Sequence, residues 1–328
     1  MNPPSEQLFG IVAIGRNEGE RLQRCLRSLP RGATVVYVDS GSTDGSDIWA
    51  RDFGAELVRL DLAKPFTAAR ARNAGFRRLI EMMPNVRFVQ FVDSDCELAC
   101  GWPTAALNFL QEHDDIAGVF GRRRERHPDK SVYNQLCDWE WDGPPGEARA
   151  CGGDVMLRTA ALQAVGGYRD SLIAGEEPEL CVRLRTAGWR MFRLPFEMTL
   201  HDADMTRFSQ WWQRARRSGY AFAEGAHLHG APPERHWVWE SRRAWLWGIW
   251  LPLLCLIAGV VAAPWGFVSF LVYPAQMLRQ AVRGGGGLRE RITKSFFQLV
   301  GRFAEAAGQI QFLRDRLLGR AATLIEYK

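Results

Sequence analysis

The 328-residue sequence is defined first by what it lacks. Its seven cysteines are odd in number and none stands in CxxC spacing, which excludes a disulfide framework. Cys96 and Cys100 lie close together but match no zinc pattern. Reduced, mostly buried thiols in a cytosolic environment are the simple reading. The start, Met1-Asn2-Pro3-Pro4-Ser5, has no basic stretch followed by an apolar one, so no signal peptide is expected. No GxGxxG follows the first apolar run, where Gly15-Arg16-Asn17 stands instead, and this argues against a dinucleotide-binding dehydrogenase. Charged residues at 24% and hydrophobic residues at 47% exclude a disordered or collagen-like chain.

The net charge of +5 is unevenly spread. From residue 231 onward there are 13 Lys/Arg against 6 Asp/Glu, a net of +7, which leaves −2 for the first 230 residues. The basic excess flanks apolar segments and forms no patch on the rest, so nucleic acid is not an expected partner. Residues 244–278 contain no Asp, Glu, Lys, Arg or His. About 20 apolar residues span a bilayer once, and Pro264-Trp265-Gly266 is a turn signal near the middle of the stretch. Two short helices, 244–262 and 266–280, are therefore expected as a membrane hairpin within a segment 231–283. Arg242 and Arg243 flank one end, Arg279 and Arg283 the other. A hairpin keeps both basic flanks on the cytosolic side, which predicts an inner-membrane protein with a cytoplasmic catalytic domain. Trp237, Trp239, Trp245, Trp247 and Trp250 cluster at its entry like an interfacial belt. Residues 284–328 open on Gly284–Gly287 and continue with one apolar stripe on a basic helix: Ile292, Phe296, Leu299, Phe303, Ile310, Leu313 and Leu317. Three uses are open to it: the membrane surface, the catalytic domain, or a second subunit in a homo-oligomer.

Residues 1–230 alternate strands and helices. Short apolar runs at 9–14, 33–38, 56–60 and 86–92 read as strands buried on both faces. Helical patterns follow the first and third of them, the latter over 66–82. This predicts an α/β domain with a doubly wound, mainly parallel, Rossmann-like sheet. Ligands of such sheets bind at the carboxyl ends of the strands, where Asn17, Asp39 and Asp93 fall. The segment 122–150, with its Arg122–Arg126 charge run and Trp139 and Trp141, reads as a loop or flap.

Asp93-Ser94-Asp95 closes an apolar strand. Carboxylates at i and i+2 after a strand can approach one Mg²⁺ or Mn²⁺, which would neutralise a diphosphate leaving group. Asp39-Ser40-Gly41-Ser42-Thr43-Asp44-Gly45 follows the second strand, where a carboxylate can accept hydrogen bonds from a base or ribose. Asn17-Glu18 can wall the same pocket. Glu176-Glu177 opens a helix after Gly175, as a dipole-stabilising pair or as a general base. Gly152-Gly153-Asp154 precedes an apolar run read as helical, as an acceptor-site floor or an N-cap. His201 follows a strand, as a third metal ligand, a phosphate contact or a structural histidine.

In this order and spacing, Asn17-Glu18, Asp39–Gly45, Asp93-Ser94-Asp95 and Gly166-Gly167-Tyr168 followed by Glu176-Glu177 resemble the family 2 glycosyltransferases, inverting enzymes of the GT-A fold. The resemblance covers residues 8–220. It implies that Asp39 contacts uracil or ribose, with Ser40 beside it, and that Glu18 lines the base pocket. Arg72 and Asn73 then face the nucleotide or diphosphate, and Asp93, Ser94 and Asp95 hold sugar and metal. Glu177 becomes the general base, with Glu176 the alternative, where the family usually has Glu-Asp. Gln213-Arg214-Ala215-Arg216-Arg217 resembles the QxxRW signature with Arg217 in place of Trp, which argues against a long-chain synthase. Arg216 and Arg217 could meet an anionic diphosphate on the acceptor side. The function implied is transfer of a sugar from a nucleoside-diphosphate sugar, UDP first, to an acceptor hydroxyl on a lipid-linked glycan. A polyprenyl-phosphate monosaccharide synthase and a non-catalytic membrane scaffold are the alternatives.

Overall fold

The computed structural model describes residues 8–320 and residue 325. The Met1–Ser5 segment lies outside them. The chain divides into two compact units, 1–206 and 207–328.

The first unit is built on one mixed sheet. Its strands are β1 (Phe9–Gly15), β2 (Val35–Asp39), β3 (Glu56–Arg59), β4 (Phe88–Asp93), β5 (Cys96–Leu98), β6 (Ile116–Glu125), β7 (Gly146–Ala148), β8 (Val155–Arg158) and β9 (Arg190–His201). The order is β3-β2-β1-β4-β8-β6-β9-β5, with β7 paired to β9. The first four strands pair in parallel, as the alternating pattern predicts. Beyond β4 the sheet turns mixed: β8 is antiparallel to β4 and to β6, and β9 runs parallel to β6.

Helices cover both faces, which is why the strands read as continuous apolar runs. Ile11 and Ala13 point into a core with Leu22, Cys25 and Leu26 of α1 (Glu20–Ser28). Beyond α2 (Ser46–Phe53) comes α3 (Ala68–Met82), which covers the other face, where Val12 and Ile14 meet Leu79. The chain then adds α4 (Trp102–Glu112), α5 (Val132–Glu140), α6 (Thr159–Ala164) and α7 (Glu176–Thr186). Two local expectations change. Arg122–Glu125 is the end of β6, and residues 132–140 are helix, so 122–150 is not an irregular flap. The apolar run after Asp154 is strand β8, buried along its whole length, and not a helix.

The second unit contains α8 (Phe208–His229), α9 (Val238–Trp245), a π-helical turn (Leu246–Trp250), α10 (Leu251–Val261), a 3-10 stretch (Trp265–Leu271), α11 (Val272–Arg283) and α12 (Leu288–Leu317). Helix α8 packs lengthwise on α12 at glycine contacts so close that a Cβ on Gly219 would lie 2.0 Å from the Glu305 carbonyl oxygen. Trp211 meets Phe297 and Tyr220 meets Phe312 at ring separations of 4.9 and 5.4 Å. This apolar face ties residues 207–230 to the C-terminal helices, so the division lies before α8, not at 230. The run Val238–Val261 is long and apolar enough to cross a membrane. The chain then turns back, and the 3-10 stretch packs on α10 with Phe267 against Gly259. This is the helical hairpin expected from the Pro264-Trp265-Gly266 turn.

Candidate active site

The site lies at the carboxyl ends of β1, β2 and β4, where the strand order reverses direction from β1. Asp39 ends β2, and its buried carboxylate accepts from the backbone N–H groups of Gly41 and Ser42, both at 3.0 Å. Ser40 is tied to β1 by its N–H to the Gly15 carbonyl at 3.0 Å. The Asn17 loop clasps the same turn: Asn17 Oδ1 accepts from Thr43 N–H at 2.8 Å, and Asn17 N–H donates to Ser42 Oγ at 2.9 Å. Glu18 pairs with Arg21 at 2.7 Å. These contacts hold the Asn17 loop and the Asp39–Gly45 turn against each other at the strand ends.

The centre of the site is Arg72, almost fully buried on α3. Its Nη2 donates to Asp93 Oδ1 at 2.8 Å. Its Nη1 donates to Glu176 Oε1 at 2.8 Å and lies 2.9 Å from Glu177 Oε1. One guanidinium thus joins the strand-end carboxylate to both candidate bases, a rigid fork suited to such bridging. A Cβ on Gly153 would meet Arg72 Nη2 at 2.4 Å and Asp93 Oδ2 at 2.6 Å, so only glycine fits against this pair. The glutamates reach it because Gly175, at φ 77°, turns the chain into α7 immediately before them.

Burial and the neighbouring Glu176 push the Glu177 carboxyl from an ordinary 4.5 to about 7, and Arg72 offsets this only in part. Burial also opposes ionisation of Asp93, but there Arg72 and Arg123 prevail and hold the carboxyl below its usual range. The two carboxyls have been driven apart, the pattern that separates an acid–base group from a permanently charged one.

Asp95, Glu125 and His201 meet because three strands end together. In the ladder Cys96 lies opposite His201, and Glu125 opposite His201 on the other side. His201 Nε2 sits 3.2 Å from Asp95 Oδ2, and Nδ1 lies 3.6 Å from Glu125 Oε2. Burial disfavours the imidazolium, but Asp95 outweighs it and raises His201 above its ordinary value. Asp95, Cys96 and His201 place one donor atom each within 4.8 Å of one another. Burial pushes the Cys96 thiol well above its ordinary value. Imidazole and carboxylate suit Mn²⁺ or Mg²⁺, with imidazole favouring the former. Among the described residues the buried Nδ1 has no hydrogen-bond partner at normal distance, and Glu125 lies beside it, as the outer carboxylate that commonly orients a metal-binding histidine does. The donor set fits a divalent cation held by Asp95 and His201. Asp93, expected as a further ligand, is instead engaged by the two arginines.

Several expected roles change. Asp154 does not floor an open acceptor site: it is buried and holds Asp93 N–H at 2.9 Å, Arg123 at 2.8 Å and Thr199 Oγ1 at 2.8 Å. Asn73 does not face a nucleotide, because its amide is engaged by the Tyr168 backbone at 2.7 and 2.9 Å and by Asp170 at 2.6 Å, where it braces the Gly166-Gly167 turn. Ser94 is buried, with its N–H bonded to the Ile14 carbonyl at 2.9 Å. Arg216 and Arg217 lie on α8 in the second unit, and Arg216 donates to Gln311 of α12 at 2.7 Å.

Two residues were missed. Arg123 links Asp93 at 3.1 Å to Asp154. Trp141, just after α5, stands edge-on to His201 at 4.8 Å with Arg123 over its ring at 5.4 Å. Arg193 fixes it by donating to the Trp141 carbonyl at 2.9 Å.

Residues 11–162 match the model of Glycosyl transferase family 2. The match falls within the first unit and covers under half of the chain. Two curated relatives from two strains of Mycobacterium tuberculosis, both described as pre-mycofactocin glycosyltransferase, are 28% identical over 249 residues, covering 69% of this chain and 49% of theirs. The chain thus spans about half the length of the curated relatives it matches. Among solved structures, a mannosyltransferase of Pyrobaculum calidifontis in complex with GDP-Man and Mn²⁺ aligns with a TM-score of 0.59 at 16% identity, covering 94% of this chain and 88% of that one. S. aureus TarS residues 1–349 in complex with UDP align with a TM-score of 0.50 at 14% identity, covering 95% and 92%. At these identities the likeness is one of fold, and the fold is GT-A.

Proposed function

We propose that this protein transfers a sugar from a nucleoside-diphosphate sugar to an acceptor hydroxyl, with inversion at the anomeric carbon. The observation that carries the reading is the Arg72 bridge from Asp93 to Glu176 and Glu177. It holds a base of near-neutral pKa beside a permanently ionised carboxylate. Glu177, the less buried of the two glutamates, takes the proton from the acceptor hydroxyl. That oxygen bonds to the anomeric carbon as the bond to the diphosphate breaks, and the electron pair leaves on the diphosphate. Asp93 orients the donor sugar.

Asp95 and His201 would hold Mn²⁺ or Mg²⁺, whose charge, when bound, stabilises the departing diphosphate. The Mn²⁺ in the mannosyltransferase neighbour supports this assignment. GDP-Man and UDP in the two neighbours support a nucleotide donor, and we test UDP first. Trp141 offers an aromatic face beside His201 against which a pyranose can stack. The apolar hairpin and its basic flanks support attachment to the cytoplasmic face of the inner membrane, with a lipid-linked saccharide as acceptor.

The test is nucleoside-diphosphate release from a panel of nucleotide sugars, with and without Mn²⁺, by the full-length protein. Turnover with one donor that disappears on chelation and in Glu177→Gln supports the reading. Normal turnover in Glu177→Gln favours a polyprenyl-phosphate synthase, whose phosphate nucleophile is already ionised. Absence of both nucleotide binding and turnover favours a scaffold.

A further inference from the structure

The second unit carries an apolar projection that none of its described residues covers. Residues 251–271 contain no Asp, Glu, Lys, Arg or His. They expose Leu254, Ile257, Val260, Val261, Trp265 and Leu271 on both limbs of the hairpin, with Val261 81% and Trp265 79% accessible. Val261 and Trp265 lie at the turn between the limbs.

The base of the hairpin is different. There Tyr273 Oη donates to the Trp247 carbonyl at 2.8 Å, joining the two limbs. Both limbs rest on α12 at this level: Gly248 sits so close to the Arg302 carbonyl oxygen that a Cβ would lie 2.4 Å away, and Tyr273 stacks on Phe303 at 6.0 Å. Helix α12 exposes Arg289, Arg314 and Arg316 along its length, and Lys294 pairs with Glu290 at 2.6 Å. Accessible charges of this kind remain at the headgroup level. Exposed Arg242, Arg279, Arg283 and Arg289 lie at the base or on the adjoining turn, suited to anionic lipid.

The level of α12 therefore fixes how deep the tip can go. From Gly248 to Val261 the helix advances about 20 Å at 1.5 Å per residue, against a hydrocarbon core about 30 Å thick. A spanning arrangement would carry Trp265 to the far interface, and the reach stops short of it. We infer that the second unit is a one-sided anchor: α12 lies in the headgroup layer, and the hairpin enters from that side and ends within the hydrocarbon. Val238–Val261 is long enough to cross a bilayer only if α12 is drawn in with it. The occupant of the uncovered surface is lipid acyl chain. This inference rests on the membrane attachment proposed above and adds its depth and sidedness.

The experiment uses full-length protein carrying Cys100→Ser and Val261→Cys in vesicles of phosphatidylethanolamine and phosphatidylglycerol. Position 261 is almost fully accessible, so the substitution leaves packing intact, and Cys100 is the exposed native thiol. The expected result has three parts. The protein floats with the vesicles. The new thiol resists a membrane-impermeant maleimide both before and after the vesicles are permeabilised. A fluorophore placed there through a permeant reagent is quenched at least twofold more by lipids brominated near the acyl-chain end than by headgroup quenchers. Labelling that appears only after permeabilisation puts the tip in the lumen and overturns the one-sided anchor while keeping membrane attachment. Labelling before permeabilisation, or the absence of acyl-chain quenching, overturns insertion of the tip. Failure to float overturns the membrane attachment itself.

Discussion

Glu177→Gln should make the protein more stable and nearly inactive, and the two effects should have a common origin. The side chain keeps its shape and loses its charge. Arg72 is not stranded, because Asp93 and Glu176 still hold it at 2.8 Å each. The magnitude follows from the carboxyl titrating at about 7 instead of 4.5. Ionising it in the fold then costs about 3 kcal/mol more than in the unfolded chain. The sign is set by linkage: the folded value is raised, so this contribution to stability is intact below pH 4.5 and is lost as pH rises through 7. Glutamine carries no such loss. The variant should match the native protein near pH 4.5 and exceed it by up to about 3 kcal/mol at pH 8.

Turnover should move the opposite way. A positioned general base contributes about 10²- to 10⁴-fold, and the variant should lose a factor in that range. In the native enzyme kcat should rise with pH and level off above about 7, as Glu177 gives up its proton. The measurements are urea unfolding of full-length protein in detergent at pH 4.5, 6 and 8, and nucleoside-diphosphate release over the same range. A variant less stable than the native protein at pH 8 would refute the buried, costly carboxylate. A variant with near-normal kcat would refute its role as base even if the stability gain appeared.

Other expectations follow from the same contacts. Arg72→Met leaves the buried Glu176 and the partly buried Glu177 and Asp93 without their shared cation and should cost about 3–5 kcal/mol in urea unfolding. Asp95→Ala and His201→Ala should each abolish Mn²⁺-dependent turnover, and calorimetry should show the metal heat lost while circular dichroism is unchanged. Trp141→Ala should raise KM for a sugar substrate several-fold with a smaller change in kcat, and Trp141→Phe should restore most of it; equal loss in both variants would count against stacking. A chain ending at Thr206 should be soluble and keep nucleotide binding. One ending at 230 should aggregate, because it retains α8 without the α12 surface that covers Trp211 and Tyr220.

The parallel half of the sheet could be read from the chain because its strands are covered on both sides. A strand such as Val35–Asp39 is buried along its whole length, and an apolar run bounded by Pro30 and the Asp39–Gly45 turn has few other uses. The antiparallel half was less legible. Val155–Arg158 is equally buried, but it is short and runs into α6, so periodicity alone could not separate strand from helix. The domain boundary was misjudged for a related reason: α8 is amphipathic, and sequence pattern says that an apolar face is covered without saying by what.

Within the site, local motifs identified the carboxylates but not what they do for one another. Asp93, Asp95, Glu177 and His201 stood out because each follows a strand or opens a helix after a turn residue. Arg123 carries no such mark, since it sits in a run of five charges that reads as a solvated segment. Its meaning comes from the pairing of β6 with β9, which sets Arg123 opposite Thr199 and turns it toward Asp93 and Asp154. Asp154 was misread for the converse reason. A carboxylate after two glycines suggests an open loop, yet here the glycines serve to bring the backbone against Arg72, and the aspartate is drawn under Asp93 with them. Both cases depend on contacts more than 25 residues apart in the chain. A buried charge network can be recognised from sequence one member at a time, but the arginines that decide which carboxylate stays ionised are chosen by strand order. That is why the family resemblance could mark Glu177 as the proposed base, with Glu176 the alternative, whereas the near-neutral titration of Glu177 depends on Arg72 and Glu176 beside it.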